Sequence, residues 1–235
     1  GKLKEVPPDG TFNIQYKAFL LLNKKSIEMP FEGIQNAKFD VKNTNIIYIV
    51  DRNSDLYKWD YVKNTKELLD ESVMDTFDLS PDGTKLAYMK GEMPDYDLYV
   101  INLKTRVPEK LTETTTSAWN PVFSPDSKEI AFVYSPDGYP SIWKLSVETK
   151  NLTLLTNKDI TPQKAMECGE CLDPFPQGKD LIWKGDNLLF EKNDESFMLN
   201  LSSKSLKKLG KIKNLHKDID GKIVGIDEDS NLQIL

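Results

Sequence analysis

One alternation of apolar and polar residues runs twice through the middle of the chain. Phe77-Asp78-Leu79-Ser80-Pro81-Asp82-Gly83-Thr84-Lys85-Leu86-Ala87-Tyr88 parallels Val122-Phe123-Ser124-Pro125-Asp126-Ser127-Lys128-Glu129-Ile130-Ala131-Phe132, and Ser80 lies 44 positions before Ser124. In both, proline fixes φ at the second turn position, Asp and then Gly or Ser suit the next two, and the flanks alternate as half-buried strands do. The spacing predicts a tight β-hairpin. A third apolar run follows each hairpin, at 97–103 and 141–147, and a fourth at 109–111 and 152–155. A worn copy precedes them at 37–41, 46–50, 55–59 and 66–69, and two shorter copies follow at an offset of 34, with 186–190 matching 220–224.

Units of about 35–50 residues, each a four-stranded meander unable to bury both faces alone, predict an all-β fold, a β-propeller of four-stranded blades. Second strands at 46–50, 85–89, 129–133, 187–191 and 222–226 give five blades in a single domain, 1–235, with an inserted loop at 157–179. The last unit stops in its third strand at Leu235, while strands at 16–22 and 26–31 are unmatched. An N-terminal strand completing the last blade closes the ring and removes open edges. One N-terminal strand is then left over, so a six-bladed ring, whole or truncated, is the alternative.

Composition narrows the function. A chain of 235 residues, 39% hydrophobic and 29% charged, fits one folded domain. Its longest apolar run, 18–22, falls far short of the roughly 18–20 residues that cross a bilayer, so no membrane insertion is expected. A net charge of −6 with no basic arm argues against nucleic acid.

The Ser-Pro-Asp hairpins, each followed by an aromatic third strand and a Leu-Thr fourth strand, resemble the TolB-like repeats of bacterial propellers. The resemblance covers roughly 36–156; the last two units share the architecture without the motif. TolB-like propellers are six-bladed, so a count of five departs from the family. The resemblance implies a periplasmic or secreted bacterial protein, its leader removed, which binds a protein or peptide and needs no cofactor. Similar repeats form the gating domain of prolyl oligopeptidase relatives, but no Gly-x-Ser-x-Gly elbow occurs here, and the one histidine, His216, reads as a strand residue.

Up-and-down strands send the turns after strands one and three to one end and those after strands two and four to the other. The first set is short. The second is longer, notably 90–96, 135–140 and 157–179, and loop elaboration on a rigid scaffold marks the functional end. Turns after strand two carry Asp51, Asp55, Glu92, Asp95, Asp137 and Asp227, whereas those after strand three carry Lys63, Lys104, Arg106, Lys150 and Lys204. An acidic face that steers cationic partners is expected, with ordinary turn charge as the alternative. Asp95, Tyr96 and Tyr139 sit on that face. Residues just before each first strand, Asn36, Asp75, Trp119 and Asn120, are expected at the channel mouth, where an exposed Trp beside polar groups suits a peptide or sugar ring. Packing of Trp119 between blades is the competing reading.

Cys168 and Cys171 are the only cysteines. Two more Cys or His ligands are missing for structural zinc, and no βαβ context supports a redox pair. The oxidising compartment of the resembled family favours a local disulfide. The runs 51–55 and 227–231 alternate oxygen-bearing residues but lack the rest of an EF-hand, so turns are expected and no metal. No catalytic residue is assigned. The favoured reading is a monomeric, non-catalytic scaffold for a protein or peptide partner, including a cationic one; the alternative is a propeller glycoside hydrolase or carbohydrate-binding protein.

Overall fold

The computed structural model describes residues 18–22, 25–92, 95–113, 118–136, 141–156, 181–192, 195–217, 222–227, 229 and 231–235. Every element among them is a strand, and every strand pairs antiparallel with its neighbour in sequence. β1 (Phe19–Leu22) and β2 (Lys25–Glu28) form a hairpin. The first meander is β3 (Ile34–Phe39), β4 (Ile46–Asp51), β5 (Leu56–Asp60) and β6 (Thr65–Asp70). The second is β7 (Val73–Leu79), β8 (Lys85–Glu92), β9 (Asp95–Asn102) and β10 (Pro108–Lys110), and the third β11 (Ala118–Phe123), β12 (Glu129–Tyr134), β13 (Ser141–Ser146) and β14 (Leu152–Leu154). The fourth is β15 (Ile182–Lys184), β16 (Asn187–Lys192), β17 (Glu195–Asn200) and β18 (Leu206–Gly210). The fifth sheet has three strands, β19 (Lys213–Lys217), β20 (Ile223–Ile226) and β21 (Leu232–Ile234).

Alternation sends successive side chains of a strand to opposite faces, and each face closes on a neighbouring sheet. β4 is apolar from Ile46 to Val50 because both its faces are covered. Ile47 and Ile49 pack with Trp59 and Phe31 beneath the β1–β2 hairpin. Ile46, Tyr48 and Val50 meet Phe77, Leu86 and Tyr88 of the second meander. Met89 and Leu98 then meet Phe123 and Phe132 of the third, whose Val133 and Ile142 meet Trp183 and Phe190 of the fourth. Ile182 and Leu189 close on Leu215 and Ile223 of the fifth. Five apolar clusters thus lie in series between successive layers. First strands of consecutive meanders touch one another, so the sheets fan out from β3, β7, β11, β15 and β19.

Polar side chains pin the same junctions. Asp78 Oδ2 accepts the Phe123 N–H at 2.9 Å while Oδ1 accepts from Lys38 Nζ at 3.1 Å, so one carboxylate ties three meanders. The Ser-Pro-Asp turns form as predicted. Ser80 Oγ donates to Asp82 Oδ1 at 2.7 Å and accepts the Thr84 and Lys85 N–H groups, and Ser124 repeats this with Asp126, Lys128 and Glu129. Gly83 and Ser127, the fourth residues of their turns, both take the left-handed conformation, at φ 63°.

Completion of the last sheet by an N-terminal strand is not found among the described residues. β1 and β2 pair with each other, and β19–β21 stands as a three-stranded sheet. The hairpin packs Ala18, Leu20 and Ile27 on the first meander, while Phe19 and Leu21 on its other face stay exposed. That burial, worth about 25 cal/mol per Å² of apolar surface, holds the hairpin at the opposite end of the series from the sheet it was expected to complete.

Candidate functional site

In every meander the turn between strands two and three lies where strand one begins, and there four of the five first strands share a distortion, β15 alone keeping an even register. Register slips by one residue between Ile34 and Asn36 in β3, Trp119 and Val122 in β11, and Lys213 and His216 in β19, and by two between Val73 and Phe77 in β7. Such bulges twist a strand, interrupt its ladder and re-aim side chains, and they concentrate beside binding sites. Two of the predicted mouth positions, Asp75 and Asn120, fall inside these slips, and Asn36 borders one.

Asn36 and Asp75 come together: Asn36 Nδ2 donates to the Asp75 carbonyl at 2.6 Å, leaving the Asp75 side chain exposed. Thr76, which the sequence did not single out, occupies the same bulge, and its buried Oγ1 has no hydrogen-bond partner among the described residues. Trp119 differs from the expected exposed platform. It is 5% exposed and packs with Val133, Ile142 and Trp183, the competing reading. The bulge explains this: Asn120 adopts φ 56°, so Ala118 and Phe123 turn toward the second meander and Trp119 toward the fourth. Asn120 itself is buried.

The acidic turns lie at this end as well. Exposed Glu92 and Asp95 face each other across the last rung of the β8–β9 hairpin. Gly91 makes that rung possible, since a Cβ at its φ of 151° would fall 2.1 Å from the Asp95 carbonyl oxygen. Tyr96, half-buried, packs its ring onto the second cluster interface. Asp51 and Asp227 serve their own turns: Asp51 Oδ1 accepts the Asn53 and Asp55 N–H groups, and Asp227 Oδ1 those of Asp229 and Asn231. The Asn231 N–H bond leads the contributions that hold the Asp227 carboxyl below its ordinary value. The Tyr57 hydroxyl is pushed up, first by burial and then by the negative charges of Asp55 and Asp51, which registers the sign of the local field. His216 lies on β19 opposite Val224. Asp137, Tyr139, Cys168, Cys171 and the whole loop 157–179 lie outside the described residues.

No protein-family profile matches the chain, and no curated protein does. Solved structures do. A putative TolB from Agrobacterium tumefaciens superposes with TM-score 0.68 at 13% identity over 89% of this chain and 83% of its own. TolB from Acinetobacter baumannii gives 0.57 at 18% identity, over 88% of this chain and 51% of its own. The tricorn protease gives 0.63 at 12% identity over 90% of this chain, which spans only 26% of that protein. At such identities likeness establishes architecture and leaves function to the site. Antiparallel meanders fanned from their first strands, with these neighbours, give the chain a TolB-like β-propeller fold.

Proposed function

We propose that the chain is a non-catalytic propeller scaffold that holds a protein or peptide at the end where its first strands begin. The observation that carries the reading is the bulge repeated in β3, β7, β11 and β19, four of the five first strands, which sets Asn36, Asp75 and Thr76 at the end that also carries the acidic turns. Glu92 and Asp95 on that rim suit a cationic segment. A bacterial cell-envelope location belongs to the same reading, as does a ring of blades. Packing of β1–β2 on the free face of the first meander supports counting the hairpin as a partial unit, hence a truncated six-bladed ring in preference to a closed five-bladed one. A glycoside hydrolase is not favoured: of the two carboxylates on β7, Asp78 is occupied by Lys38 and the Phe123 N–H, which leaves Asp75 without a second one on that strand.

The test is capture from a bacterial envelope extract with the immobilised chain. A Glu92→Lys/Asp95→Lys variant should lose the captured protein, and Lys150→Glu at the opposite end should keep it. Equal capture by both variants would remove the acidic rim from the reading.

A further inference from the structure

At the end away from the bulges, the first and second meanders leave a groove of about 390 Å³ between them, within the range of roughly 300–1,000 Å³ typical of small-molecule sites. Asp40, Tyr48, Lys58, Gly83 and Thr84 line it, with the turn 102–105. Its walls are held in place. Tyr48 and Lys58 are cross-strand partners on β4 and β5. The 102–105 turn is capped by Asn102 Oδ1, which accepts the Lys104 and Thr105 N–H groups at 2.9 and 3.1 Å. Gly83 brings Lys42 to the lip, where a Cβ would come 3.1 Å from Lys42 Cδ.

The charges of this groove are unbalanced. Asp40 is the one lining carboxylate against Lys58 and Lys104, and it is held on its own turn, accepting the Lys42 and Asn43 N–H groups at 2.8 and 2.9 Å and the Tyr48 hydroxyl at 3.0 Å. The ammonium groups of Lys42, Lys58 and Lys104 make no ion pair or hydrogen bond among the described residues. Arg106 follows the lining turn; its Nε and Nη2 hold Glu67 at 3.0 Å, and its buried Nη1 has no partner among the described residues. Lys58 and Lys104 both line this concave surface, and unpaired ammonium groups there raise the local concentration of anions; ionised hydrogen bonds to oxyanions are short and strong.

We propose that this groove binds a small organic polyanion, a di- or tricarboxylate or a phosphate ester, through Lys58 and Lys104, with the Asn102 amide and the Thr105 hydroxyl as neutral donors. The volume fits a molecule of several heavy atoms, larger than a lone inorganic ion. The site is distinct from the acidic rim, at the other end of the strands and opposite in sign.

Amide-resolved NMR titration of the whole chain with citrate, with glycerol phosphate and with uncharged glycerol tests it. Saturable shifts at 83–84 and 102–105 are expected with at least one anion and not with glycerol, and salt should weaken them. Lys58→Met and Lys104→Met should each lower the affinity about tenfold, the loss of one charged hydrogen bond. Lys207→Met on β18 should change nothing. Lys104 stands on an exposed turn, so its variant remains informative if the Lys58 variant loses structure. Absence of saturable shifts with both anions, equal shifts with glycerol, or affinity unchanged in Lys104→Met would overturn the proposal.

Discussion

The third meander and the last sheet both run their first three strands in sequence order yet stand in different surroundings. In β12, Ile130 and Phe132 point into one cluster and Ala131 and Val133 into the next, so both faces are sealed. In β20, Ile223 is sealed against the fourth meander, but the other face, shared by Ile226, Leu232 and Ile234, reaches 65% exposure at Ile234. Equivalent local patterns therefore carry unequal weight: a blade's stability comes from the neighbour on each side, in keeping with the near one-dimensional energetics of repeat folds.

Substitutions can sharpen or break that contrast. Phe132→Ala, at a fully buried position between the second and third meanders, should cost about 3–5 kcal/mol, while Leu232→Ala should stay within about 0.5 kcal/mol; urea unfolding followed by tryptophan fluorescence measures both. Equal losses would mean that the last sheet is covered in solution. A smaller loss, about 1–2 kcal/mol, is expected for Ser80→Ala, which strips the acceptor from the Thr84 and Lys85 N–H groups in a buried turn. Ser203→Ala, in an exposed turn of the fourth meander, should be near neutral.

Acid gives the smallest effect. Burial pushes the Asp82 carboxyl up, but hydrogen bonds from Ser80 and Thr84 outweigh it, and the carboxyl titrates below its ordinary value of 3.8. Asp126 is held low chiefly by the Ser124 hydroxyl. A carboxyl depressed by folding stabilises the native state above its unfolded pKa, and that contribution is lost as pH falls through the folded value. The urea midpoint should therefore drop between about pH 4 and pH 2, and Asp82→Asn should flatten the drop. Asp227→Asn should flatten it less if the last sheet opens first.

The Ser-Pro-Asp hairpins were legible because proline, aspartate and the apolar alternation all encode one turn, and each residue then makes the bond its chemistry suggests. Of the two readings open for Trp119, packing between meanders holds, because β11 already begins at Ala118 and Trp119 is a strand residue. Asn120 inserts one extra residue at positive φ, and a bulge of that kind leaves no trace in hydrophobic period. The N-terminal strands are legible in the sequence but their partner is not, since Leu20 and Ile27 suit any apolar sheet face and only the free side of Ile47 and Ile49 decides among them. The lysine groove went unnoticed for a related reason: Lys58 and Lys104 are 46 positions apart and meet only when two meanders pack.

Sharing each apolar cluster between just two layers also sets how the molecule breathes. Peeling β19–β21 away uncovers Ile182 and Leu189 but leaves the cluster of Leu86 and Tyr88 shut. Amide protons should accordingly exchange with solvent in a gradient, fastest at the C-terminal sheet and slowest around β8 and β12.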